Sequence, residues 1–188
     1  MRPMLIGAPA IEPVSLAEMK AWLREDANDE DELIQALIVS ARMTLEAFTR
    51  RFFVTQGWRI IMDAWPSDDC RVVIPLTPFQ NISAIRVFDA ADVAQTVAAE
   101  TYRAPASSQE GRLIFKTRPL QPGRPVDGIE IDFVVGYGGQ PTQTPEPLRR
   151  AIMSLVAHWR EKRGDDTDDG MPNVVAQLAA PFRRQRLT

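Results

Sequence analysis

The residues best suited to chemistry lie near the C-terminal end of the chain. His158, the only histidine, is followed by four aspartates within residues 165–169. A histidine beside carboxylates could act as a general acid–base catalyst or bind a metal ion. Zinc disfavours a ligand set made almost entirely of carboxylates, and the histidine has no G-x-S-x-G nucleophile motif to serve. His158 instead falls at the edge of the apolar stripe of a predicted helix, which favours a packing role.

Two acidic runs raise a second chemical hypothesis, a metal-dependent nuclease or hydrolase, because carboxylates can hold Mg²⁺. Residues 29–32 are all acidic, but they open a predicted helix, where negative charge meets the positive end of the helix dipole. Residues 165–169 follow a helix stop at Gly164 and lack the spacing of a calcium-binding loop. We therefore predict no catalytic, metal-binding or cofactor-binding residue, and we keep the hydrolase as an alternative.

Composition favours a soluble globular protein. The chain has 188 residues, 45% of them hydrophobic and 25% charged, with a net charge of −3. A net negative charge argues against general affinity for a nucleic acid backbone. Cys70 is the only cysteine, so an internal disulfide is impossible. We expect no membrane partner, because no apolar run approaches the length of a membrane span.

Helical periodicity and helix-start signals predict three main helices. Ser15 and Glu18 have the spacing of a capping box, and the helix after them is expected to end near Asp26. A second helix follows residues 29–32, and we place Leu33 with the apolar stripe of that helix. The third helix is predicted from Leu148 to about residue 163.

Between the second and third helices the pattern changes to short apolar runs separated by turn residues. Over residues 129–135 apolar residues at every second position alternate with Glu130 and Asp132, which is typical of a half-buried strand. The sequence predicts an α+β fold that is mostly a helical scaffold: two N-terminal helices, a small antiparallel β block at about 53–136, a third long helix and a C-terminal arm. The predicted strands are 57–63, 72–76, 82–88, 101–103, 113–116 and 129–135.

The last segment differs from the rest of the chain because it is basic. It combines apolar residues at helical spacing with three arginines and has no acidic residue after Asp169. A purely disordered terminus would not need the apolar residues, so we predict a docking arm. Its predicted contact residues are Val174, Val175, Leu178, Phe182, Arg183, Arg184 and Arg186.

Several stretches, taken in order, are spread over nearly the full length of the chain. They are PVSLAEMKAWLRED, DEDELIQALI, VTQGWRIIMDAWP, VVIPLTPFQNISAIRVFD, VVGYGGQPTQTPEPLRRAIMSLVAHW and LAAPFRRQRL. In this order and spacing the chain resembles the head–tail connector, or adaptor, proteins of long-tailed phages and the related adaptors of gene transfer agents.

The resemblance implies a structural role without catalysis. Such proteins are expected to be made in the bacterial cytoplasm and to form a homo-oligomeric ring of twelve subunits at the head–tail junction of the particle. The ring would lie beneath the portal protein and above a downstream tail stopper or neck protein, and DNA would pass through it without specific binding. Residues 1–163 would form a single adaptor domain, and residues 164–188 a hinge and an arm that docks on the portal.

The resemblance also suggests a site for contact between subunits. Trp22 lies off the main apolar stripe of the first helix, and exposed aromatic residues concentrate at protein interfaces. We therefore predict that Trp22 anchors one subunit of the ring against the next. An oligomeric interaction module of some other bacterial assembly remains an alternative to the adaptor.

Overall fold

The computed structural model describes residues 1–66, 71–105, 111–162 and 170–184. The chain forms two compact units. A sheet unit is built from Met1–Pro9 and Thr55–Gly136, and a helical unit from Ala10–Val54 and Tyr137–Thr188. The division into a domain over 1–163 and a hinge with an arm over 164–188 stays a prediction, because residues 163–169 and 185–188 lie outside the described part.

Eight strands form the sheet unit within the described residues. They are β1 (Arg2–Gly7), β2 (Gln56–Met62), β3 (Arg71–Ile74), β4 (Phe79–Phe88), β5 (Ala94–Thr96), β6 (Tyr102–Arg103), β7 (Gly111–Phe115) and β8 (Ile129–Val135).

Two antiparallel sheets arise from these strands. The larger has the order β1-β2-β8-β4-β5, and the smaller has the order β3-β7-β6. In β8 the side chains of Ile129, Ile131, Phe133 and Val135 are all fully buried, which is why the apolar alternation of this strand was so clear in the sequence. In the smaller sheet Phe115 lies on the buried face, where its ring contacts the rings of Trp65 and Tyr102 edge to face.

Four α-helices form the helical unit within the described residues. They are α1 (Leu16–Leu23), α2 (Asp31–Thr49), α3 (Glu146–Glu161) and α4 (Asn173–Ala179), followed by one 3₁₀ turn (Ala180–Phe182). A common apolar core joins them, and helices α2 and α3 supply most of it. None of the helices in the described residues is long and apolar enough to cross a membrane.

The predicted α+β class is confirmed, although "mostly helical" understates the sheets. Strand β1 was not predicted because nearly all of its residues are exposed, so no alternation marks it. Strand β5 has only three residues, all of them exposed, and was not predicted either. Leu33 was placed on the buried stripe of α2, and this was wrong: its side chain is 40% exposed.

Candidate functional site

The capping box predicted at the start of α1 is present and is tied to α3. The Ser15 hydroxyl accepts a hydrogen bond from the Glu18 backbone N–H, and the Glu18 carboxylate accepts one from the Ser15 backbone N–H. The guanidinium of Arg149 on α3 pairs with Glu18. The pKa of Glu18 is lowered, first by the hydrogen bond from the Ser15 backbone and also by Arg149.

Trp22 lies in the last turn of α1, and its side chain is 45% exposed. The exposure is compatible with the predicted role at a subunit contact, and that role stays a prediction. Trp22 also begins a strongly acidic stretch of the sequence, residues 22–33, which contains six carboxylates and a single basic residue, Arg24.

Ion pairs account for part of this acidic stretch. The ammonium of Lys20 lies 2.8 Å from the Asp31 carboxylate, and the guanidinium of Arg160 on α3 lies 2.9 Å from Glu30 and also pairs with Glu25. These contacts fix the connection between α1 and α2 against α3. In the parts of the chain that the structure describes, no group of three or more metal-ligating side chains comes together.

His158 lies on α3 and is half-buried. Its backbone carbonyl accepts a hydrogen bond from the Lys162 N–H at 3.1 Å, which belongs to the end of the helix. The aspartates at 165–169 that follow it in the sequence lie outside the described residues. The structure therefore places His158 on a packing helix and gives no geometry for the pairing considered from the sequence.

Inside the helical unit, α2 carries a buried ion pair that sequence reasoning missed. The carboxylate of Glu46 accepts hydrogen bonds from Arg42 Nη1 at 2.9 Å and from the Phe53 backbone N–H at 2.8 Å. Arg42 Nε donates to Glu12 at 2.7 Å. Both Arg42 and Glu46 are buried, so this pair stabilises the turn that leaves α2.

The outward face of α2 has an unusual composition for an exposed surface. From Leu33 to Ala47 the exposed positions include large apolar residues such as Val39 and Met43, and none of the exposed positions is charged. Exposed helix faces usually carry charged side chains, so this face is typical of a surface that a partner covers. This exposed apolar face was not predicted from the sequence, because α2 has apolar residues on two sides and periodicity does not show which side is buried.

The C-terminal segment packs on its own helical unit over the described residues. Val175 and Ala179 are fully buried in the core, Leu178 and Phe182 pack against it, and Val174 is exposed. The predicted contact residue Arg186 lies outside the described part. Burial of Val175 means that this side chain is not free to bind a partner while α4 stays in place.

Backbone and cation contacts hold the residues after α4. The Phe182 carbonyl accepts a hydrogen bond from Arg51 Nε at 2.6 Å, and the Arg184 N–H donates to the Thr49 carbonyl at 3.0 Å. The guanidinium of Arg183 lies 5.2 Å from the centre of the Phe48 ring. Docking on a portal protein stays a prediction for these residues.

On the larger sheet two arginines and two carboxylates form a network across three strands. Asp132 on β8 accepts hydrogen bonds from Arg59 on β2 at 2.6 Å and from Arg86 on β4 at 2.8 Å, and Glu130 pairs with both arginines. Burial opposes ionisation of Asp132, but the hydrogen bonds from Arg59 and Arg86 outweigh it and lower its pKa. The network is internally neutralised and leaves no charge for a partner.

On the smaller sheet, by contrast, the arginines have no carboxylate partner among the described residues. Strand register places Arg71 opposite Ile114, Val73 opposite Arg112, and Arg103 opposite Ile114, so these five side chains share the exposed face. The described residues provide none of the three arginines with a hydrogen bond or an ion pair. The sequence showed the strands but not this clustering, because it arises only from the register.

Comparisons with known proteins agree with this fold. Residues 13–77 match the family model described as phage gp6-like head-tail connector protein. No curated protein matches the chain. The predicted resemblance to head–tail connector proteins is thereby confirmed for residues 13–77, which contain α1, α2, β2 and β3.

Three solved structures extend the similarity to the full length. A chain in the neck of an empty GTA particle, computed with C6 symmetry, is 26% identical with a TM-score of 0.83, over 100% of this chain and 98% of that one. A chain in the virion of a native gene transfer agent (GTA) particle is 27% identical with the same TM-score of 0.83 and the same coverage. A chain in the neck of a native GTA particle, computed with C12 symmetry, is 27% identical with a TM-score of 0.77, over 98% and 97% of the two chains.

Proposed function

We propose that this chain is a structural adaptor that joins head to tail in a phage-like particle. The observation that carries the proposal is the similarity to neck chains of gene transfer agent particles, which extends over the entire chain at a TM-score of 0.83. Similarity over both units matters, because a shared helical unit alone would support only a shared fold. The place of action is the head–tail junction of the particle.

The adaptor acts as an oligomeric ring. The similar neck structures were computed with C6 and C12 symmetry, which supports a ring of twelve copies. The uncharged outward face of α2 and the exposed Trp22 are suited to contact between copies. The portal protein on one side of the ring and a tail stopper or neck protein on the other are the partners we propose.

We propose no catalytic role for the chain. A ring that lines a DNA channel has to let the duplex slide, and strong attraction to phosphate would retain it. A net charge of −3 suits that requirement. The metal-dependent hydrolase was raised by the acidic runs 29–32 and 165–169. In the first run Glu30 pairs with Arg160 and Asp31 with Lys20, and among the described residues no group of three metal-ligating side chains favours that alternative.

Removal of the chain from a producing strain tests the proposal. We expect DNA-filled heads and free tails that do not join, and a plasmid copy of the chain should restore joined particles. Electron microscopy of the restored particles, with a tag on the chain, should place its density at the neck. Normal joined particles in the absence of the chain would contradict the adaptor role.

Trp22→Ala should weaken association between copies much more than it destabilises a single copy. An exposed tryptophan that becomes buried at an interface contributes about 2 kcal/mol or more, which corresponds to roughly thirtyfold in affinity. Sedimentation velocity measures the association, and urea denaturation measures the stability. Val126→Ala, at an exposed apolar position of the sheet unit, is the control and should change neither. Unfolding of the isolated subunit by Trp22→Ala would instead place the side chain in its own core.

A further inference from the structure

The exposed face of the smaller sheet, formed by Arg71, Arg103, Arg112, Val73 and Ile114, is called the basic face here. Val73 is 51% exposed and Ile114 is 37% exposed, and the arginines surround them on β3, β6 and β7. No carboxylate occupies an outward position of these strands. An apolar centre with an arginine rim is the usual anatomy of a protein interface.

Several other arginines of the described residues have acidic partners. Arg59 and Arg86 share Glu130 and Asp132, and Arg160 pairs with Glu25 and Glu30. By contrast, no ion pair to Arg71, Arg103 or Arg112 is formed within the described residues. Three arginines collected on one exposed face, without an acidic partner among the residues that the structure describes, in a protein of net charge −3, favour an acidic surface as the partner of this face in the assembled state.

The chain itself carries a matching surface in its acidic stretch, residues 22–33. Asp26, Asp29 and Glu32 are exposed, and no described residue forms an ion pair with them. The stretch begins at Trp22 and ends at Leu33, whose side chains are 45% and 40% exposed. The acidic stretch therefore combines carboxylates that have no described partner with exposed apolar side chains, and the basic face combines arginines that have no described partner with exposed apolar side chains.

We propose that the basic face of one copy binds the acidic stretch of a second copy of this chain. The inference rests on the proposed ring, and it specifies which surfaces of neighbouring copies are in contact in that ring. The two surfaces are different, so the contact is head-to-tail, and each copy uses its basic face toward one neighbour and its acidic stretch toward the other. Contacts of this kind close into a ring when the rotation between copies fits.

Duplex DNA is the rival occupant of the basic face, because arginines bind phosphates. Two observations favour protein. Phosphate contacts do not need the exposed Val73 and Ile114 at the centre of the face, whereas a protein interface does. In addition, twelve copies of three free arginines along a channel would hold the DNA that the channel has to release.

Charge reversal provides the test. Arg71→Glu with Arg112→Glu gives a copy whose two surfaces are both acidic, and Asp29→Arg with Glu32→Arg gives a copy in which both are basic. Each variant alone should associate about a hundredfold more weakly than the wild type, because like charges then meet at every contact. A one-to-one mixture should regain association, since each surface finds an opposite surface on the other variant.

Native mass spectrometry measures the oligomers, and circular dichroism checks that each variant is folded. Arg150→Glu is the control, because it reverses an exposed arginine of α3 that lies on neither surface, and it should leave association at the wild-type level. If the two variants alternate in the mixture, the masses should show equal numbers of both variants in each oligomer. Association of the wild type should also weaken as salt is raised.

Three results would overturn the inference. They are a wild type that remains monomeric at low salt, folded variants that associate normally on their own, and a mixture that fails to recover association. Arginine variants that associate normally but retain less DNA in particles would assign the basic face to DNA. None of these results removes the adaptor role, which is tested separately by the joining of heads to tails.

Discussion

Glu46→Ala is expected to lower the free energy of unfolding by about 3–5 kcal/mol, because it removes the buried one of the two carboxylates that pair with the buried Arg42 guanidinium. Glu46 accepts hydrogen bonds from Arg42 and from the Phe53 backbone, and both Arg42 and Glu46 are buried. After the substitution Arg42 retains only Glu12 as an acidic partner, and the Phe53 N–H loses its acceptor. The loss falls on the turn between α2 and the sheet unit.

Urea denaturation followed by tryptophan fluorescence measures this effect. Glu32→Ala removes an exposed carboxylate in the first turn of the same helix and is the matched control, with an expected loss below about 1 kcal/mol. A loss of similar size in the two variants would show that burial of the Arg42–Glu46 pair is not what stabilises this turn.

Truncation after Ala180 is expected to leave a folded protein that no longer supports joined particles. The fully buried side chains of Val175 and Ala179 are retained, and only the partly buried Phe182 is lost from the edge of the core. The contacts of Phe182 and Arg184 with the end of α2 are lost, at a cost of about 1–2 kcal/mol. The effect on assembly is expected to be larger than the effect on stability, because these residues are predicted to dock on the portal. Most heads should then carry no tail.

A truncation after Arg184 is the matched control for this experiment. It keeps every C-terminal contact described above and removes only the last four residues, including Arg186. Electron microscopy gives the fraction of heads that carry tails for each variant. Equal fractions for the Ala180 truncation and the full chain would refute the docking arm. Joined particles that merely lose DNA would mean that the arginines face the duplex.

Local signals in the sequence predicted most of the helices and strands. The capping box is formed by Ser15 and Glu18, and the alternation of β8 by seven consecutive residues. Each signal involves only residues that are close in the sequence, so the sequence pattern alone reveals it. Strand β1 escaped prediction because an edge strand with exposed side chains on both faces has no alternation to detect. Leu33 was misplaced because apolar residues occur on two sides of α2, and periodicity cannot say which side is buried.

The candidate surfaces were harder to predict because they depend on long-range pairing. Arg160 and Glu30 are 130 residues apart in the chain, so nothing in the local sequence shows that this cation neutralises that acid. The basic face likewise requires the register of β3, β6 and β7, which brings Arg71, Arg103 and Arg112 to one side. The exposure of Trp22 could be predicted from the sequence, because the positions that lie off the apolar stripe of α1 follow from the residues of that helix alone.

The path of the chain has a consequence for its synthesis. The chain starts in the sheet unit with β1, builds α1 and α2, returns to the sheet unit, and only then supplies α3, which begins at Glu146. During synthesis on the ribosome, the apolar side chains of Ile34, Ile38 and Leu45 therefore lack their packing partner α3 until the residues from Glu146 onward have been made. A copy whose synthesis stops before α3 leaves these apolar side chains uncovered, and uncovered apolar surface is what makes incomplete chains prone to aggregate and bind chaperones.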